Sequence, residues 1–311
     1  MPPPPPPLMD ELVEEFLLRL PPENPASLIR TSLVCKRWRR ILTDRGFRHR
    51  FLERHRTPPI LGFLHRFASE DASSCFTATS TFRPRDADLR CRYVLGSHHG
   101  RVLIGRLPLP GEPSDNRLCV WDPITGDRLE LPKSPMSHDL ARISWNAAVL
   151  CSSSSRVCNH LDCRRGPFLV VLMSTSADEV FVDIYSSEAG TWRPANAMQH
   201  PADDRVCLLH AEPSTLSGSA LYFKVQMTMH TRSIQYSLGT RRIDYLTLPS
   251  DCSYRVQLTA TEHGGLGFAK LEGSRLHLWT CGRGRMVLMD IQDGHKVVSF
   301  SSTRCSLLAP A

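Results

Sequence analysis

Between Met9 and Arg56 apolar residues recur at helical spacing, and no later part of the chain repeats that pattern. Leu12, Val13, Phe16, Leu17 and Leu20 fall at i, i+1, i+4, i+5 and i+8, which predicts an amphipathic helix. Asp10 is placed to cap it, acidic residues fill its first turn, Arg19 lies near its end, and Pro21-Pro22 stop it. Asn24 and Pro25 can open a second short helix carrying Leu28, Ile29 and Leu33. A third is read from Val34, Trp38, Ile41 and Leu42 on one stripe, with Lys36, Arg37, Arg39 and Arg40 turned away. Three helices this short bury too little surface to be comfortable alone, and they carry more apolar side chains than so small a core needs. Part of that surface therefore calls for a partner.

The order Leu-Pro-Pro, then Leu28, then Ser-Leu-Val-Cys-Lys-Arg-Trp-Arg, behind an opening helix, resembles the F-box. The resemblance implies a module that docks on a helical adaptor and so joins a cullin-based, SCF-type ubiquitin ligase. It marks Leu8, Leu12, Leu17, Leu20, Pro21, Leu28, Val34, Cys35 and Trp38 as the F-box positions, adaptor-binding or internal core. Two departures stand out: Met9 follows Leu8 where the family often has proline, and the link from Leu20 to Leu28 is long.

The domains expected are a Pro-rich disordered leader over 1–8, the helical module over 9–56, a Pro break at 57–59 and a β region over 60–311. From Ile60 on, short apolar or alternating stretches are separated by Gly, Pro, Ser and Asp turns, which argues for an all-β domain. Trp121, Tyr185, Tyr236 and Trp279 each precede a Gly-containing turn, at intervals of 64, 51 and 43 residues, about the length of a propeller blade. This half is similar to the kelch-like or F-box-associated propeller of plant F-box proteins. The fold class expected is thus α+β multidomain, a three-helix F-box followed by a β-propeller-like domain of around five blades forming an incomplete ring.

Composition narrows the function. The 311 residues hold no apolar run long enough for a membrane span, no secretory signal at the proline-rich start, and no Asn-x-Ser/Thr sequon. Eleven scattered cysteines favour reduced thiols, hence cytoplasm or nucleus. Of the net charge of +7, the excess over the first 59 residues is 11 basic minus 7 acidic, or +4, concentrated from Lys36 to Arg56. That run could track nucleic-acid phosphates, and a solvated helix face is the preferred reading. Cys151, Cys158, His160 and Cys163 are ligand types for zinc, but their spacing does not fit paired C-x2-C hairpins, so no metal and no cofactor is expected. The chain has no G-x-S-x-G, P-loop, H-E-x-x-H or strand-borne G-x-G-x-x-G, and His98-His99-Gly100 and His263-Gly264-Gly265 read as turns. The expectation is a non-catalytic substrate receptor whose partners are the adaptor, through it a cullin, and a target protein. The rivals are a basic nucleic-acid-associated regulator and an adaptor-binding protein with a truncated target domain.

Overall fold

The computed structural model describes residues 9–22, 25–55, 62–66, 74–79, 82–85, 89, 92–106, 117–135, 144–152, 163–201, 206–209, 212–227, 231–248, 256–261, 264–273, 275–282, 285–292 and 295–299. The leader over 1–8, Asn24, the Pro break at 57–59, Cys158, His160 and His263 lie outside them, as does the chain end at 300–311 on which the expected incomplete ring turns.

Four helices, one more than the periodicity predicts, open the chain: α1 (Asp10–Leu17), α2 (Pro25–Ser32), α3 (Lys36–Thr43) and α4 (Arg45–Arg54). The fourth hides in an arginine-rich segment whose apolar signal is little more than Phe47 and Phe51, one turn apart. Asp44 starts it, its Oδ2 accepting from the backbone N–H of Phe47 at 3.0 Å. Val13, Leu17, Leu18 and Phe47 form the buried centre, with Leu20, Trp38, Ile41, Leu42 and Phe51 packed around it. Among the described residues no strand residue belongs to this cluster, and the helices close over a core of their own.

Among the described residues five antiparallel sheets follow in chain order. The first pairs β1 (Gly62–Arg66) with β2 (Ser74–Ala78). The second is β3 (Arg92–His98), β4 (Arg101–Arg106), β5 (Leu118–Trp121) and β6 (Arg128–Glu130). The third is β7 (Ser144–Cys151), β8 (Phe168–Thr175), β9 (Glu179–Ser186) and β10 (Thr191–Gln199). The fourth holds β11 (Cys207–Leu208), β12 (Thr215–Ser217), β13 (Ala220–Gln226), β14 (Thr231–Ser237) and β15 (Ile243–Thr247). The last runs β16 (Val256–Ala260), β17 (Leu266–Glu272), β18 (Arg275–Gly282), β19 (Arg285–Gln292) and β20 (His295–Ser299).

Strand alternation shows how the sheets stack. On β7, Trp145, Ala147 and Val149 face a core shared with Tyr93, Leu95, Leu103 and Val120 of the second sheet. The intervening Ala148 and Leu150 face another core, shared with Leu221, Phe223 and Ile234 of the fourth. Strands β7 to β9 of the third sheet are therefore buried on both sides, between the second and fourth sheets, while the edge strand β10 is largely exposed. A further cluster joins Leu246 and Leu248 to Val256, Phe268 and Trp279, and another brings Leu64 against Val102, Ile104 and Trp121. Face-to-face packing of consecutive meanders is a propeller-like succession. Among the described residues no cluster joins the first sheet to the last.

The aromatic repeat has a structural counterpart. Trp121, Tyr185 and Trp279 each sit on the third strand of their sheet, Tyr236 sits on β14, third along the hydrogen-bonded path β11-β13-β14-β15, and all four are buried. In three copies the chain then turns through one residue of positive φ, five positions after the aromatic: Gly126 (φ 87°), Gly190 (φ 67°) and Arg241 (φ 58°). Each donates its N–H back across the turn, Gly126 to Asp122 O at 2.8 Å, Gly190 to Ser186 O at 2.8 Å and Arg241 to Ser237 O at 2.7 Å. The glycine visible in the third copy, Gly239, is not the left-handed residue; Arg241 is. His99 (φ 53°) and Gly100 (φ 76°) likewise make the turn expected between β3 and β4.

A side chain in this backbone region costs about 1–2 kcal/mol, against a smaller entropic cost of glycine in the unfolded chain. Nothing crowds a Cβ at Gly190 within 4 Å, so its substitution reports backbone strain alone. Gly190→Ala should destabilise by about 1 kcal/mol and Arg241→Gly should stabilise by about 0.5 kcal/mol, opposite signs read from denaturant melts.

Candidate docking face on the helical module

α1 is eight residues long and apolar on two sides. Val13 and Leu17, one turn apart, are 3% and 0% exposed and fill the core. Leu12 and Phe16, also one turn apart, are 53% and 60% exposed. Met9, just ahead of α1, and Ile29, Leu33 and Val34, on α2 and the segment that follows it, are exposed by 62–77%. These six account for most of the large apolar side chains left uncovered among the described residues. A patch of this kind on a small module marks an interaction site.

Local chemistry holds the patch outward. Asp10 does not cap α1 as its sequence position suggests: the cap is Met9, extended at φ −63° and ψ 151° with no side-chain bond. The Asp10 carboxylate instead accepts from Arg37 Nε and lies 3.8 Å from Arg40, tying α1 to α3. Glu14 pairs with Arg50 and Glu15 lies 3.7 Å from Arg54, tying it to α4, while His55 Nε2 lies 2.9 Å from the carbonyl oxygen of Leu18. Three carboxylates of α1 thus face four arginines of the basic run.

α2 ends at Ser32, and α3 begins only at Lys36. Val34 is therefore not on the α3 stripe with Trp38, Ile41 and Leu42, as the periodicity suggests; it projects with Leu33 from the connection, where Val34 N–H donates to Thr31 O at 3.2 Å. Cys35 caps α3, its Sγ accepting from Trp38 N–H at 3.4 Å, a role that spacing alone does not reveal. A groove of about 390 Å³ opens beside the patch, lined by Leu28, Ile29, Leu42, Phe47, Phe51 and Leu52.

The positions drawn from the resemblance therefore divide. Leu17 is core, and Leu20 and Trp38 pack against it. Leu12 and Val34 are exposed apolar side chains, Pro21 and Cys35 are exposed, Leu28 lines the groove, and Leu8 lies outside the described residues. The positions not drawn from it that share the face are Met9, Phe16, Ile29 and Leu33. No helix is long and apolar enough to cross a membrane, and no group of metal-ligating residues assembles among the described residues.

The geometry defines a helical docking module joined to a sheet domain. Residues 8–50 match the family model of the F-box domain, so the chain carries an F-box at its N-terminus. F-box protein At5g03970 of Arabidopsis thaliana is 24% identical over 294 residues, covering 85% of this chain and 63% of that protein, a likeness consistent with the plant F-box proteins. The chain spans less than two thirds of that relative's length. Among solved structures, TolB from Acinetobacter baumannii superposes with a TM-score of 0.35 at 13% identity, covering 68% of this chain and 53% of TolB. Porphyromonas gingivalis dipeptidyl peptidase 4 gives 0.32 at 10%, covering 76% and 51%. Both likenesses are too distant to bear on the fold, which rests on the sheet order and cores above.

The two faces of α1 should respond differently to truncation. Leu17→Ala should cost the helical module about 2–5 kcal/mol, whereas Phe16→Ala should change its stability by less than about 0.5 kcal/mol, as read by amide hydrogen exchange of α1 and α4 in the whole chain.

Proposed function

We propose that this chain is a non-catalytic substrate receptor of an SCF-type ubiquitin ligase. The helices dock on the helical adaptor, and the β region takes a target protein and holds it near the charged ubiquitin-conjugating enzyme. The observation that carries the reading is an F-box whose core is already closed yet which leaves six large apolar side chains uncovered on one module. Burying them against a second helical protein supplies the driving force, and the adjoining groove supplies shape. The bond-forming step, attack of a target lysine on a thioester, belongs to other subunits; this chain contributes proximity, which can be worth several orders of magnitude in rate.

The arginine pairs weigh against the nucleic-acid reading. Arg37, Arg40, Arg50 and Arg54, four of the nine basic residues from Lys36 to Arg56, face carboxylates of α1 and are engaged within the module.

The experiment is co-purification of the full chain with the adaptor. Phe16→Asp and Leu33→Asp change exposed positions and should weaken capture by about tenfold or more while preserving the fold. Capture by the wild type should survive an increase from about 0.1 M to 0.5 M salt, since apolar docking is little screened. Undiminished capture by both variants, or loss of wild-type capture with salt, contradicts the assignment.

A further inference from the structure

Positive charge converges on a cleft in the β region, remote in sequence from the helices. The cleft has a volume of about 450 Å³ and lies between the second sheet and the turn Cys163–Arg165 that leads into β8. Arg101, Arg128, Arg164 and Arg165 wall it, together with Asp122 and Asp127.

Arg101, at the start of β4, is 4% exposed. Its Nη2 donates to the carbonyl oxygens of Cys163, at 3.1 Å, and Gly166, and the guanidinium lies 5.1 Å from the centre of the Phe168 ring. Its Nη1 is buried and donates to no acceptor among the described residues. Carbonyl dipoles and a ring face do not neutralise a buried cation, and burial accordingly pushes the Arg101 pKa down. The carboxylates offset the charge only in part: Asp122 favours the charged form of Arg101, and the neighbouring Arg164 opposes it. Asp122 is committed to Arg164 through Oδ2 and to the backbone N–H groups of Ile124 and Thr125, at 2.9 and 3.2 Å, through Oδ1. Asp127 is solvent-exposed and accepts from Thr125 Oγ1 at 2.7 Å. Four guanidinium groups against two carboxylates leave a local excess of two positive charges.

The cleft is built around that charge. A Cβ at Gly100 would approach Arg164 Cδ to 2.9 Å, so glycine in this turn makes room for the arginine that crosses it. Arg128 lies 5.7 Å from the centre of the Trp121 ring, over one of the repeat aromatics. Arg165 is exposed at the cleft.

We propose that this cleft binds a small oxyanion, a phosphate or carboxylate group, with Arg101 as the inner cation and Arg165 as the outer one. Planar guanidinium groups suit such oxygens, and a desolvated donor strengthens the contact. The site is independent of adaptor docking and is tested without the adaptor.

The test is calorimetric titration of the full chain, at constant ionic strength, with inorganic phosphate, acetate, and a short serine peptide with and without its phosphate. Saturable binding of phosphate or acetate is expected, weakened about fivefold by the surface change Arg165→Gln and about tenfold or more by Arg101→Lys, which keeps the charge but loses the fork. Thermal melts without ligand come first; if Arg101→Lys does not fold, Arg165→Gln decides alone. Tighter binding of the phosphopeptide than of inorganic phosphate assigns the anion to a protein segment, and equal binding assigns it to a free anion; either supports the site. No saturable binding of any probe, or equal affinity in wild type and Arg165→Gln, overturns it.

Discussion

The functional account depends on how α1 divides its apolar residues. With eight residues and pairs at i, i+1, i+4 and i+5, the helix cannot bury all of them against three short neighbours. Val13 and Leu17 go inward, and Leu12 and Phe16 are left in water. The choice is enforced by charge. Asp10, Glu14 and Glu15 face arginines of α3 and α4, which fixes the rotation of α1 about its own axis. Exposed ion pairs of this kind contribute little stability each, but a network spanning two elements orients them.

The sheets show the complementary arrangement, in which little apolar surface is wasted. β7 and β8 give alternate residues to two cores, so these strands are buried on both sides and the neighbouring sheets are held in place by them. Asn146 is a polar residue within that buried strand, and it is fully satisfied: Nδ2 donates to Leu209 O at 3.0 Å and Glu212 O at 2.8 Å, and Oδ1 accepts from Ala147 N–H at 2.7 Å. It thereby fastens the edge of the fourth sheet to the third. A scaffold with stacked sheets and loops gathered at strand ends can carry a cleft such as that around Arg101 without disturbing its cores.

Much of this was legible in the sequence, for physical reasons that can be named. Strands such as Leu118–Trp121 and Phe168–Thr175 announce themselves by apolar runs between turn residues, and the aromatics of the repeat fall one to each of the last four sheets, on β5, β9, β14 and β18. β7 is hard to read from sequence because Asn146 and two alanines dilute its apolar signal, although tertiary packing buries it more completely than most. α4 is missed because its outward face is arginine, leaving Phe47 and Phe51 to speak for it. Asp10 looks like a cap because caps are local, whereas the arginine that claims it lies 27 residues away. At the docking face, periodicity identifies the apolar residues of α1 but not which pair turns outward, since that depends on contacts with α3 and α4. The cleft arginines, at 101, 128, 164 and 165, are dispersed in sequence and meet only through sheet topology.

The most direct measurement is hydroxyl-radical footprinting of the full chain, alone and with the adaptor. Met9, Phe16 and Leu33 should be modified readily in the free chain and protected in the complex, with Leu17 protected in both. Protection of Met9, Phe16 and Leu33 already in the free chain would mean that the protein covers this face itself, and would contradict the account.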